Sequence, residues 1–328
     1  MMKSFDNEAM LSALKSANSI LLCTHVSPDG DAIGSLLCVG LALKTLGKRA
    51  VMACHDEVPE KYAFLKDAAL VVPPTALANA EFDLALALDA GDLGRIGDCK
   101  EAFFKAPVTA QIDHHATNLR YAAINEVDGG ASATGCIVLR LLHALHIELT
   151  KDMAECLYTA ISTDTGNFCF SNTNEETFSA AEELVKANID LADLARKIHL
   201  MREKEHVQLL GRALSTLHFF EDGRASGMML SKEDYEAVDA KPEHADKIVN
   251  YGLYLDGVYM AYLADERETG ITKFSLRALP PCDVSKIAVA FDGGGHALAS
   301  GCKIKKPLSE ACAIMEQAMR EQIKAVFS

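Results

Sequence analysis

The sequence predicts an α/β protein in which an N-terminal domain built on a parallel sheet is followed by a helical linker and a smaller α+β domain. Three observations predict it. Short apolar, β-leaning runs alternate with helix-compatible segments through the first half, the pattern of a parallel sheet with crossover helices. A charged stretch from Asp190 to Leu214 holds Gly211 but no other Gly and no Pro, which suits a helix. Beyond it, β-leaning runs are separated by Asp-Gly turns, a hairpin signal. The length of 328 residues fits two domains at roughly 100–200 residues each. The expected parts are residues 1–190, a linker at 191–213, and residues 214–328.

Ser19–Cys23 reads as the first strand. Ala32–Leu46 reads as a helix, with Ile33, Leu36, Leu37, Gly40 and Leu43 along one side and Gly47 as its stop. Arg49–Cys54, Phe82–Leu88 and Val108–Ile112 read as further strands, with helical material at Pro59–Leu65 and Gly97–Lys105 between them. Ser132–Ile147, Lys151–Ile161 and Asn174–Ala187 are helical in pattern. In the second part, His218–Phe220 and Ala225–Leu230 flank the turn Glu221-Asp222-Gly223. Tyr254-Leu255 and Val258–Ala264 flank Asp256-Gly257, so both pairs are expected to form hairpins. Ile271–Ala278 is another strand, and a final helix runs from about Leu308 to Val326.

Hydrophobic residues at 49% and charged residues at 24% exclude a disordered chain. A formal net charge of −14 argues against a general basic field that coats nucleic acid. A phosphate-bearing substrate therefore needs a local site that overrides the global charge. The ten cysteines form no Cys-x-x-Cys pair and sit mostly in apolar runs, which points to a reducing cytoplasm. The N-terminus lacks the basic-then-apolar layout of a signal peptide. The apolar stretch Leu36–Leu43 falls far short of a membrane span, so no membrane partner is expected.

Four motifs carry metal-binding chemistry. His25, Asp29 and Asp31 lie on a loop bent by Pro28 and Gly30 after the first strand. Imidazole and carboxylates together suit a borderline-hard divalent ion such as Mn²⁺; the plainer reading is a turn whose acids cap the following helix. Asp89 ends the apolar run Leu86-Ala87-Leu88, and by itself it reads better as an ordinary loop acid in a surface turn. Asp113-His114-His115 again ends a strand. Adjacent side chains diverge there, so one His can ligate while the other faces substrate, and Asp113 can orient a ring. Asp164 ends a helical segment among small polar residues. The four loops are expected to converge on one crevice and to offer His25, Asp29, Asp31, Asp89, His114 and Asp164 as ligands, with Asp89 bridging. That set suffices for two divalent ions about 4 Å apart, whose preferred chemistry is hydrolysis at phosphorus. In the second domain, Gly293-Gly294-Gly295-His296 offers close backbone approach to an anion and a His donor. Arg277 at a strand end offers a fork for a terminal phosphate.

On these residues the chain resembles the DHH phosphoesterase superfamily, named for its Asp-His-His triplet. It is most similar to the nanoRNase/pAp phosphatase branch, whose DHH-associated C-terminal domain carries Gly-Gly-Gly-His. The resemblance covers nearly the whole chain, with His25-x-x-x-Asp29-Gly30-Asp31, Asp89, Asp113-His114-His115, Asp164, Ser275-x-Arg277 and Gly293-Gly294-Gly295-His296 in family order. It implies one Mn²⁺ held by His25, Asp29 and Asp89 and another held by Asp31, Asp89, His114 and Asp164, with Mg²⁺ or Co²⁺ as alternates. It also implies an active site in an interdomain cleft, where His115, backed by Asp113, contacts the scissile phosphate, and Arg277 and His296 reach the substrate from the other side. The implied activity is cytoplasmic hydrolysis of short oligoribonucleotides such as pApA to mononucleotides, and dephosphorylation of pAp. A homodimer is compatible with it; long nucleic acid is not an expected partner. The competing readings are an exonuclease on longer single strands, a cyclic-dinucleotide phosphodiesterase, and a silent nucleotide-binding regulatory module, against which the intact ligand set argues. Three positions depart from the resemblance. Asp292 stands where a fourth Gly is common, Ala278 where Ser is common, and Ser300 where Ala is common. An acid at 292 would weaken binding of a second phosphate.

Overall fold

The computed structural model describes residues 3–327, and the chain divides into two compact units, one ending at Met201 and the other beginning at Arg202. The first unit runs α1 (Glu8–Ser16), β1 (Ser19–Cys23), α2 (Gly30–Thr45), β2 (Arg49–Ala53), β3 (Leu84–Leu88), α3 (Lys100–Lys105), β4 (Val108–Asp113), β5 (Ile124–Val127), α4 (Thr134–Ala144), α5 (Lys151–Asp164), α6 (Glu175–Lys186) and α7 (Leu191–Ala195). Its five strands are all parallel, in the order β2-β1-β3-β4-β5. Ile20, Leu22, Leu86, Leu88 and Ile112 face a core shared with α2, α4 and α5. Leu21, Cys23, Ala85 and Ala87 face a second core containing Ile96 and Phe103. Burial on both faces explains why β1 and β3 are apolar throughout rather than alternating. The chain leaves β1 toward β2 on one side and reaches β3 on the other, so the sheet has its switch point between β1 and β3. A crevice at the carboxyl ends of the strands is expected there.

Close helix packing brings side chains together at these strand ends. A Cβ on Gly34 of α2 would lie 2.3 Å from the Cys156 carbonyl of α5, so only glycine lets these two helices approach. Their contact places Asp31 near the start of α2 beside Asp164 at the end of α5.

Several local expectations change. Helix α1 and edge strand β5 were not expected; β5 is four residues long and only half-buried, too short for a periodic signal. Pro59–Leu65 forms only a single 3-10 turn at Glu60–Tyr62. Gly97 takes φ 54, and this break delays α3 to Lys100. Within Asp190–Leu214 the helix is interrupted. A turn of π-helix at Arg196–Leu200 follows α7, Met201 is extended, and helix resumes at Lys204.

The second unit contains α8 (Lys204–Ser215), β6 (His218–Phe220), β7 (Ala225–Ser231), α9 (Lys232–Glu236), α10 (Val249–Leu253), β8 (Met260–Glu268), β9 (Ile271–Ala278), α11 (Val284–Ala290), β10 (Gly294–His296), β11 (Ala299–Ile304) and α12 (Leu308–Phe327). Its mixed sheet has the order β10-β11-β9-β8-β7-β6. The first expected hairpin forms, with β6 antiparallel to β7. The second does not. Helices α9 and α10 make a crossover that returns β8 parallel to β7, and Asp256-Gly257 only turns the chain from α10 into β8. Helix α10 buries Val249 and Leu253, while Tyr254 is exposed and has no strand to pair with. Among the described residues, no helix is long and apolar enough to cross a membrane.

Candidate active site

Three of the four predicted metal motifs leave the carboxyl ends of β1, β3 and β4, which are neighbours in the sheet. The fourth ends α5. The structure brings all six proposed ligands together. Three groups form with donor atoms within 4.8 Å of one another: His25, Asp29 and Asp89; Asp89, His114 and His115; and Asp31, His114 and Asp164. Asp89 joins two of them. His25 Nε2 lies 3.5 Å from Asp89 Oδ2 and 3.7 Å from Asp29 Oδ1. His114 Nε2 lies 3.4 Å from Asp164 Oδ2, 3.7 Å from Asp89 Oδ1 and 3.8 Å from Asp31 Oδ2.

Each carboxylate is held by its own local chemistry. Asp29 Oδ1 accepts the Asp31 and Ala32 N–H groups at 3.0 and 3.1 Å, so the capping role read from sequence is real and coexists with membership of the cluster. Asp31 does not cap its own helix. Its Oδ2 accepts Thr134 N–H at 2.6 Å and its Oδ1 accepts Gly135 N–H at 2.9 Å and Ser35 Oγ–H at 3.1 Å. Helix α4 has Ala133 at its N-cap, which offers no capping side chain; the Asp31 carboxylate from α2 satisfies those N–H groups instead. Asp89 is buried and takes a left-handed φ of 56, and Thr134 Oγ1 donates to its Oδ1 at 2.9 Å.

The electrostatics are those of a cation site. Burial pushes Asp31 well above the usual carboxylate range, and Asp89, Asp164 and Asp29 push it further. Burial likewise pushes Asp164 up to about 6, against the pull of His114 and with the repulsion of Asp89 and Asp29. Burial opposes charge on His25, yet Asp29 and Asp89 outweigh it and raise its pKa to about 10. Acids crowded into a buried space compete for protons that divalent ions would replace. The mixed imidazole and carboxylate donor set fits such ions.

Asp113 stands apart from the ligands. It is buried, and its Oδ1 accepts from His115 Nδ1 at 2.7 Å while its Oδ2 accepts from Asn118 Nδ2 at 2.5 Å. Burial raises Asp113, but these two donors hold its carboxyl below the usual range. The Asp113 hydrogen bond in turn raises His115. Sequence reasoning missed Thr134, Ser35 and Asn118. The only sequence signal was indirect: a helix start at Ala133 without a capping side chain must be capped from elsewhere.

In the second unit, register aligns the predicted substrate residues. Arg277 of β9 pairs with Ala299 of β11, and Ala299 pairs with His296 of β10. Directly paired residues share a sheet face, so Arg277 and His296 flank a small side chain on one face. The next row on that face is Ser275, Gly301 and Gly294. Gly294–His296 therefore form an edge strand. A Cβ on Gly293 would lie 2.3 Å from the Gly301 carbonyl, and Gly295 takes φ 138; only Gly294 faces open space. The three departures also have local accounts. Asp292 takes a left-handed φ of 54. Ala278 is buried. Ser300 Oγ donates to the His296 carbonyl at 2.7 Å, tying β10 to β11.

Among the described residues one further group, Glu203, Glu205 and His244, has ligand-like spacing. Lys241 N–H donates to His244 Nδ1 at 2.9 Å, so the neutral ring carries its proton on Nε2, which faces Glu203 Oε2 at 2.5 Å. That ring closes a helix start and presents no free lone pair.

The model of the DHH family, N-terminal domain, matches residues 19–161. The chain is 33% identical over 312 residues, 93% of its length and 90% of the relative's, to the bifunctional oligoribonuclease and PAP phosphatase NrnA of Thermus thermophilus. This chain belongs to the DHH family. A second family member, the bifunctional oligoribonuclease and PAP phosphatase NrnA of Bacillus subtilis, is 27% identical over 305 residues, covering 88% of this chain and 90% of that one. The crystal structure of an exopolyphosphatase-related protein from Bacteroides fragilis superposes with a TM-score of 0.89 at 26% identity, covering 98% of this chain and 97% of that one. The match spans both units of the DHH-family fold described above.

Proposed function

We propose that the chain is a divalent-metal-dependent phosphoesterase that hydrolyses short oligoribonucleotides to mononucleotides and dephosphorylates pAp. The observation that carries this reading is the set of three ligand groups linked through Asp89 and His114, which lie at neighbouring strand ends. The names of the two NrnA relatives support the substrate class. His25, Asp29 and Asp89 would hold one ion, and Asp31, Asp89, His114 and Asp164 the other; Mn²⁺ is the expected ion, with Mg²⁺ or Co²⁺ as alternates. When bound, the ions supply a water of lowered pKa and neutralise charge on the phosphoryl group. Residues 1–190 would carry this centre and residues 214–328 the substrate contacts, joined by the segment at 191–213. The cytoplasm suits the ten cysteines, all of them free.

The chain's own residues supply the rest. His115 donates Nδ1–H to Asp113, which turns Nε2 outward for the reacting phosphate. Its raised pKa keeps a proton available for a phosphoryl oxygen. Thr134 orients the Asp89 carboxylate through its hydroxyl. Arg277 and His296, with open space at the missing Cβ of Gly294 on the edge strand, would take up a substrate phosphate.

Asp89→Asn tests the centre without backbone strain, since Asn tolerates the left-handed φ of 56 that Asp89 adopts. Loss of pApA hydrolysis in Mn²⁺, with circular dichroism and the unfolding midpoint unchanged, is expected. Hydrolysis as fast as the parent's would dismiss the shared-ligand reading. The substrate class is tested by length: kcat/KM is expected to be higher for dinucleotides than for an RNA of about thirty nucleotides, because the net charge of −14 repels a long polyanion. A preference for the longer RNA would favour the exonuclease reading instead.

A further inference from the structure

Arg95 lies on the loop that leaves β3, the loop that also carries Asp89 and Asp92. Its backbone is clamped on both sides. Asp92 Oδ1 accepts its N–H at 3.2 Å, and its carbonyl accepts Val26 N–H at 2.7 Å. The Cα is thus fixed against the His25 loop, while the side chain is exposed. Its Nη2 lies 3.0 Å from His25 Nδ1.

That ring nitrogen is a poor partner. It also lies 2.8 Å from the Val26 carbonyl. A ring nitrogen that carries the proton for that carbonyl has no lone pair for a guanidinium. Among the described residues Arg95 pairs with no carboxylate, although Asp29 and Asp89 lie against the opposite nitrogen of the same imidazole. A planar fork of five donors, held by its backbone at the rim of an acidic cluster and without a strong acceptor, suits an oxyanion that arrives with the substrate. The position also constrains which oxyanion. His25 Nε2 faces the ligand cluster and Nδ1 faces Arg95, so the guanidinium stands one imidazole width away from the reacting position. A phosphate hydrolysed at that cluster would lie beyond the imidazole from Arg95, and a phosphate adjacent to it would come nearer the guanidinium.

We propose that Arg95 binds a non-reacting phosphate of the substrate, the one adjacent to the phosphate hydrolysed, and so selects substrates that carry an additional phosphate. This rests on the phosphoesterase reading of the same site.

The full chain, Arg95→Gln and Arg95→Lys are assayed in Mn²⁺ on ApA, pApA and ApAp, each with one internal phosphodiester. For one of the two phosphorylated dinucleotides, the ratio of its kcat/KM to that of ApA is expected to fall about tenfold in Arg95→Gln, with the change in KM and part of it retained in Arg95→Lys. The dinucleotide that loses its advantage identifies the side of the reacting phosphate on which Arg95 acts. An equal fall on all three would overturn the proposal and make Arg95 a positioning residue for His25. No change in either ratio would overturn it as well. If the unaltered chain cleaves none of the three, the oligoribonuclease reading fails by itself. Arg95 is then decided by calorimetric binding of adenosine 3′,5′-bisphosphate against the 3′- and 5′-monophosphates: Arg95→Gln must weaken the bisphosphate more than either monophosphate, and equal weakening overturns the proposal.

Discussion

Asp31 accepts two backbone N–H groups and the Ser35 hydroxyl, while the Asp164 side chain, among the described residues, accepts no backbone N–H and forms an ion pair with His114 at 3.4 Å. Both sit in one cluster, yet removing them should have different consequences. In metal-free protein, Asp31→Ala leaves the Thr134 and Gly135 N–H groups buried without an acceptor and is expected to cost about 1–3 kcal/mol. Asp164→Asn removes repulsion and is expected to leave stability unchanged or higher. Urea unfolding in chelator measures both, and equal losses would contradict the division. His115 supplies a second test at this scale. Its pKa is raised first of all by the Asp113 hydrogen bond. Asp113→Asn should therefore let the imidazole lose its proton at lower pH and move the alkaline limb of activity downward. An imidazole titration by NMR that does not move would remove Asp113 from this role.

At the scale of elements, the α2–α5 contact links fold to site. Gly34 has no room for a Cβ against the Cys156 carbonyl, and Asp31 and Asp164 ride on the two helices. Gly34→Ala is expected to cost about 1–3 kcal/mol through overpacking and to weaken Mn²⁺ binding by spreading the ligands. A normal melting temperature together with normal Mn²⁺ affinity would show that the helices can part without consequence. Element identity was legible where periodicity was long: β1, β3, β4, α2 and α5 all fall where the pattern puts them. It was not legible at β5, which has four residues, or at Asp256-Gly257. There the local turn signal is genuine, but its partner strand is decided by the crossover through α9 and α10. A turn dipeptide encodes a change of direction, not what the returning strand pairs with.

At the scale of the molecule, charge and protons set the working conditions. Asp164 is raised to about 6 and Asp31 lies well above the usual range, so both bind protons that a cation must displace. Mn²⁺ affinity is therefore expected to fall as pH drops through about 6, with proton release on binding. Calorimetry in buffers of different ionisation enthalpy counts those protons, and an affinity flat between about pH 5 and about pH 8 would contradict the buried, crowded state of these acids. Two bound divalent ions would bring the formal charge from −14 to −10, leaving the rest of the surface unfavourable to long polyanions.

The sequence by itself determined the α/β class, the DHH family motifs and the six acid and His side chains that the structure draws into one cluster. These are carried by residue type, order and apolar runs, which survive without coordinates. Only the tertiary structure decided that Asp31 caps α4 rather than its own helix, that Asn118 and Asp113 hold His115, and that Gly294–His296 form an edge strand aligning His296 with Arg277. It alone also placed Arg95 behind His25. Each of these depends on which distant segments share a hydrogen bond or a sheet row, and such pairings are set by packing across the sheet and have no local signature in the chain.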